Sequence, residues 1–167
     1  MPAPARDLRL PVRSRLAAAE LWWLGVHGGA GESTLAALVP GWEAADHAWP
    51  RQPGDAVARV VLAARSNMRG LQAAQQAATQ WAAGLVPFAQ VLGLVVVADA
   101  PGRLPRPLRD MTQLVSGGVP HTWTVPWVEA WRLGEPPTAA NAPHQVQRMV
   151  DDLRTVVMQA HALEESP

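Results

Sequence analysis

The 167-residue chain contains no cysteine, no tyrosine and no lysine, and only one phenylalanine. Without cysteine there is no disulfide framework, no thiolate nucleophile and no cysteine metal site. Without lysine, all 14 basic residues are arginine. That excludes Schiff-base chemistry and any phosphate site that depends on a P-loop lysine. An excess of one charge is also missing, because 14 arginines face 14 acidic residues. This balance argues against a bulk nucleic-acid coat, although a local basic patch is compatible with it. The longest apolar run, residues 91–98, is too short to span a bilayer. Residues 1–19 carry four arginines and no apolar core, unlike a signal peptide. These absences point to a soluble, cytoplasmic protein with no membrane partner.

What is present is enough for a core. Apolar residues make up 49% of the chain and charged residues 17%, so the chain reads as globular and of one domain. Residues 1–18 form a polar, proline-containing arm, and 19–167 form a single domain. Apolar runs at 21–27, 57–64 and 91–98, with a shorter one at 121–125, read as strands. Helices are expected over 33–39, over 68–83 after Ser66-Asn67, over 105–115 and from a cap at Asn141 onward. The 68–83 stripe runs through Leu71, Ala74, Ala78, Trp81 and Leu85, and the last helix carries Val146, Met149, Val150, Leu153, Val156 and Val157 on one face. Residues 42–55 read as irregular and turn-rich. Strand–helix alternation with continuous apolar strands implies an α/β fold: a compact, mostly parallel sheet of about four strands with flanking helices. Strands in sequential order would put their crossover helices on one face. The other apolar face would be covered in part by the last helix and for the rest by a second copy or a protein partner.

One segment has the context of a phosphate-cradling loop: His27-Gly28-Gly29-Ala30-Gly31-Glu32-Ser33-Thr34, after a strand and before a helix. Glycines there let backbone N–H groups converge on an anion. The segment resembles the variant Walker A motif of the ParA/MinD family of ATPases, K-G-G-x-G-K-[ST]. Gly28, Gly29, Gly31 and Ser33 match it, whereas His27 and Glu32 stand where the family has lysines. Further on, the VVLAARSNMRGLQAAQQAATQW stretch is similar to the family's strand and helix after Walker B. The LGLVVVAD stretch is similar to a strand that ends in a nucleotide-contacting asparagine, with Ala98 and Asp99 in its place. The TVPWVEAWRLGEPP stretch is similar to the family's Pro-x-Asp segment, with Val128 at the acidic position. The resemblance implies a truncated P-loop NTPase-like fold, without the switch region or the Asp-containing Walker B strand. The chain also resembles an uncharacterised family of GC-rich bacteria.

Charge decides what such a loop could hold. A unit charge pair at about 4 Å is worth roughly 4 kcal/mol at an effective dielectric near 20. A helix terminus returns only about 0.3–2 kcal/mol. With Glu32 for lysine, a triphosphate is repelled unless the carboxylate turns away, and nothing evident holds Mg²⁺. ATP or ADP binding is therefore disfavoured, no catalytic residue or metal site is assigned, and the cofactor expectation is none. The plain alternative is a tight strand–helix turn with Glu32 in the first helical turn. His27 is a candidate pH-dependent cation or a hydrogen-bonded strand-end histidine. The other histidines lack ligand spacing, and Asp46-His47 is only a dipeptide.

Two surfaces are candidate interfaces. Arg103, Arg106 and Arg109 recur every third residue and suit a phosphate, a nucleic acid or an acidic partner, or simply a solvated face. Trp123, Trp127 and Trp131 would cluster, the last two sharing a helix face if that segment is helical. Arg6, Arg9, Arg13 and Arg15 at one end are expected to attract Asp151, Asp152, Glu164 and Glu165 at the other. The expected function is a non-hydrolysing ParA/MinD-like pseudo-NTPase that serves as a protein-binding, scaffold or regulatory partner. The alternatives are a divergent nucleotide-binding switch and a DNA-partition or conjugation accessory.

Overall fold

A computed structural model describes residues 2–138 and 140–167. Its centre is a five-stranded sheet in which every neighbouring pair is parallel. In chain order these strands are β2 (Leu21–Gly25), β3 (Trp42–Ala44), β5 (Ala58–Arg65), β6 (Ala89–Val97) and β7 (Thr122–Val125). The helices are α1 (Glu32–Ala36), α2 (Met68–Ala82), α3 (Arg106–Ser116), α4 (Glu129–Arg132) and α5 (His144–Glu165). The α/β class with a parallel sheet and flanking helices is as the sequence indicates. The fifth strand, β3, comes from the segment expected to be irregular.

The spatial order is β3-β2-β5-β6-β7. The chain steps outward from β2 to β3, then returns past β2 to β5 and continues to β7. Because parallel crossovers are right-handed, reversing the step reverses the face on which the crossover lies. The packing agrees. Leu35 of α1 and Val146, Met149 and Leu153 of α5 share a core with Trp23 and Val95. Leu71 and Ala74 of α2 and Val115 of α3 share the other core with Trp22 and Leu94. Adjacent Trp22 and Trp23 therefore point to opposite faces, as strand geometry requires. The helices do not lie on one face, so the open face that argued for a second copy does not exist: α1 and α5 cover it.

The return from β3 to β5 uses no helix. Its strand β4 (Trp49–Arg51) pairs in parallel with β1 (Val12–Ser14) from the N-terminal arm. The fully buried Trp49 inserts into the same core as Trp22 and α2. The arm is held down: Gln80 of α2 exchanges two hydrogen bonds with the Leu10 backbone, and Arg15 donates to the Ala45 carbonyl and pairs with Asp46. The acidic end of α5 meets a different arginine, because Glu164 pairs with the buried Arg59 on β5. The expected attraction between the two chain ends is therefore replaced by these separate pairs.

Asn67 does cap α2, accepting from the Gly70 N–H. Leu85 falls beyond that helix. Asn141 does not cap α5, which starts at His144 after Pro143. Its side chain instead accepts from Trp131 Nε1 and the Thr138 N–H.

The β5–β6 register slips between Val60 and Val61, so Leu92 is an extra residue opposite the partner strand. The slip leaves Gly93 beside Val61, under β7. A Cβ on Gly93 would lie 2.5 Å from the His121 carbonyl oxygen and 2.6 Å from Trp123 Cζ3. Backbone cannot yield cheaply in a packed sheet. Gly93→Ala is expected to lower stability by about 1–3 kcal/mol, read as a lower denaturation midpoint with an unchanged denaturant slope.

Candidate functional site

In an open parallel sheet, the crevice for ligands lies beyond the carboxyl ends of the strands, where the strand order reverses. Here that point is the carboxyl end of β2, and the glycine-rich segment 27–31 springs from it. Gly29 and Gly31 have φ of 76° and 95°, the left-handed region that glycine enters without penalty. This is the local reason for glycine at both positions. Ala30, between them, is buried.

Glu32 does not face the loop mouth. It is buried, with one carboxyl oxygen accepting from the Gly25 N–H at 2.8 Å and the His47 N–H at 3.3 Å. Its other oxygen lies 3.9 Å from His47 Nδ1, which donates to the Gly25 carbonyl at 2.8 Å. The carboxyl thus ties the end of β2 to the turn after β3. Asp46 and His47 in that turn both have positive φ, 54° and 58°. Such backbone is strained for non-glycine residues, and the contacts of Glu32, His47 and Arg15 hold it. Asp46, the acid just past β3, pairs with Arg15 at 3.7 Å.

His27 is not a free cation. Its Nε2 accepts from the Arg65 N–H at 2.9 Å, and its Nδ1 meets the Gly28 carbonyl at 2.8 Å. An imidazole that accepts at one nitrogen and donates at the other is the neutral Nδ1–H tautomer. Of the other loop residues, Gly28, Gly29 and Ser33 are exposed and Thr34 is half-buried.

Two arginines outside the glycine-rich segment, Arg65 and Arg132, meet at this edge. Arg65 ends β5, donating from Nε to the Gly29 carbonyl at 2.8 Å and from one Nη to the Ala98 carbonyl at 3.3 Å. Arg132 of α4 donates to the same Ala98 carbonyl at 3.2 Å and stacks 4.3 Å from the Trp127 ring. Burial, and then repulsion from Arg132, hold the Arg65 guanidinium below its ordinary range, while Asp99 pulls the other way. The signal in the sequence is an arginine directly after the apolar run 60–64, at the carboxyl end of a strand, which is where the ligand edge of a parallel sheet lies.

Of the other expected site residues, Trp131 and Arg103 line adjoining hollows at this edge, and the rest lie apart from them. Arg103, Arg106 and Arg109 are exposed, on the loop before α3 and on α3 itself, with Arg106 3.9 Å from Asp110. Trp123 and Trp131 are half-buried against the α5-side core. Trp127 precedes α4 and donates to Glu129, so it does not share a helix face with Trp131. Among the described residues no group of acidic or histidine side chains could hold a metal. Among the described residues no helix is long and apolar enough to cross a membrane.

A family model, the family of unknown function DUF6668, matches residues 19–150. The chain belongs to the DUF6668 family. No curated protein and no solved structure matches it. In this DUF6668 member the match spans the whole switch-point edge, from β2 and the glycine-rich segment through Arg65 to Arg132.

Glu32 supplies a test of the site's construction. Glu32→Lys removes both acceptors and leaves the Gly25 N–H unpaired in a buried place, which costs about 1–3 kcal/mol. Glu32→Gln keeps an acceptor oxygen. The thermal midpoint is expected to fall clearly for Glu32→Lys and much less for Glu32→Gln.

Proposed function

We propose that this chain is a cytoplasmic, ParA/MinD-like pseudo-NTPase that does not hydrolyse nucleotide and acts as a protein-binding or scaffold partner. The observation that carries this reading is the state of Glu32. The residue in the place of the phosphate-binding lysine is a buried bracket for the backbone of β2 and its neighbouring turn. Where that lysine would neutralise phosphate charge, this side chain is committed to holding the fold.

Three further observations support it. His27, in the place of the signature lysine, has both ring nitrogens engaged with the backbone. Asp46, the acid nearest the carboxyl end of β3, is engaged with Arg15. Val128, in the acidic position of the resemblance, is an apolar wall of the crevice. Phosphoryl transfer works by positioning and by charge stabilisation, and none of these three residues offers charge to a transferring phosphoryl group. The scaffold role falls to the exposed Arg103, Arg106 and Arg109 face, with Trp123, Trp127 and Trp131 at the neighbouring edge. Such a role needs no bound ATP or ADP.

The test is thermal unfolding with ATP, ADP or GTP plus Mg²⁺, alongside a phosphate-release assay. A ligand at a hundredfold excess over its dissociation constant adds about 2.7 kcal/mol to the folded state. The expected result is no shift and no release. A midpoint rise with any of the three nucleotides that persists in Arg132→Gln would overturn the reading in favour of a lysine-free nucleotide switch.

A further inference from the structure

The carboxyl edge of the sheet carries two adjoining hollows. One, of about 100 Å³, lies between α1, β5 and α4 and contains Arg65, Arg132 and Trp131. The other, of about 350 Å³, opens beside the loop after β6 and is walled by Val96, Leu104 and Leu108. They meet along Ala98, Val125 and Pro126. The first hollow holds the two cations; the second is chiefly apolar, with Asp99 and Arg103 also on its lining.

The cationic end is short of negative charge. Arg65 and Arg132 converge on one neutral carbonyl, that of Ala98. Neither has a carboxylate ion-pair partner among the described residues. Asp99 is the nearby acid, and it already accepts from Asn67 at 3.2 Å. Arg65 Nη2, and Arg132 Nε and Nη1, make no hydrogen bond among the described residues. Two guanidinium groups held together with spare donors repel one another; burial first, and this repulsion second, lower the hold of Arg65 on its proton, against the pull of Asp99. An oxyanion between them would take up the free donors and relieve the repulsion. Guanidinium forks match the paired oxygens of carboxylate and phosphate.

We propose that this crevice binds a small organic anion. Its phosphate or carboxylate head sits between Arg65 and Arg132, and its apolar body lies over Val96, Leu104 and Leu108. The proposal stands on side chains outside the glycine-rich segment and does not rest on the pseudo-NTPase reading. Small-ligand sites are mostly apolar hollows with a few converging polar groups, which is the arrangement seen here. Arg132 lies on the Trp127 face, so engaging the head reorients a guanidinium that is stacked on an indole.

The experiment is an NMR titration of the ¹⁵N-labelled protein with four probes: phenyl phosphate, benzoate, inorganic phosphate and phenol. The first two carry head and body, the third a head alone and the fourth a body alone. Phenyl phosphate or benzoate is expected to shift the Arg65 and Arg132 side-chain N–H signals and the Trp131 indole N–H. Whichever binds more tightly names the head. Inorganic phosphate should bind more weakly at the same residues, and phenol most weakly. Arg132→Gln should weaken binding at least about tenfold, whereas Arg13→Gln, on the exposed strand β1, should leave it unchanged. Arg65→Gln should do the same as Arg132→Gln; should it fail to fold because Gly29 loses its anchor, the exposed Arg132 still decides. The idea fails if neither organic anion shifts these signals, if Arg132→Gln binds as well as wild type, or if phenol binds as tightly as the anions. A nucleotide shift that survives Arg132→Gln would count against the pseudo-NTPase reading alone.

Discussion

A crossover between parallel strands puts its connection on a face set by the direction of the step. In this chain the direction reverses once, after β3. The outward step puts α1 on one face, and the returning steps put the β1–β4 ribbon, α2 and α3 on the other. With α5 beside α1, both apolar faces are covered by the chain itself. The same reversal separates the loops that leave β2 and β5, so a crevice opens at their carboxyl ends. Core, coverage and candidate site thus descend from one topological constraint.

At that crevice, charge has been rearranged rather than removed. The acidic residue of the loop, Glu32, is turned under β2 and satisfied by backbone donors. The histidine is neutral and bridges Gly28 to Arg65. Positive charge arrives from β5 and α4, as Arg65 and Arg132. Burying Glu32 without such donors would be costly. Its contacts explain how a carboxylate can occupy this position: of the two readings, a charge that repels ligands and a residue of a tight strand–helix turn, the geometry fits the second, with the carboxylate bracing the loop from beneath.

The tryptophans divide in a similar way. Trp22, Trp23, Trp42 and Trp49 are buried, with Trp23 and Trp42 meeting edge to face at 6.1 Å. They fill the space around the short strands β2 and β3, Trp23 and Trp42 against α5 on one face and Trp22 and Trp49 in the core shared with α2 on the other. Trp123, Trp127 and Trp131 are half-buried near α4, where packing and ligand edge adjoin. Tryptophan abundance in this chain therefore reflects mainly core filling on both faces of a short sheet.

Periodicity and composition were sufficient for the long elements. The apolar runs that became β2, β5 and β6, the stripes of α2 and α5, and the Asn67 cap depend on neighbours a few residues away, and so they can be read in one dimension. The glycines of the loop were legible for the same reason, since positive φ is a local demand. Tertiary structure decided the rest. Trp42–Ala44 and Trp49–Arg51 are three-residue strands that exist only because β2 and the N-terminal arm offer edges to pair with. Glu32 found its role through Gly25 and His47, and the meeting of Arg65 with Arg132 required the sheet to align residues far apart in the chain. The sequence by itself determined which segments are strand or helix and where the backbone must turn, because those preferences are local. Only the tertiary structure decided which charges are spent on the fold and which remain for a ligand, because burial and pairing are properties of the assembled edge.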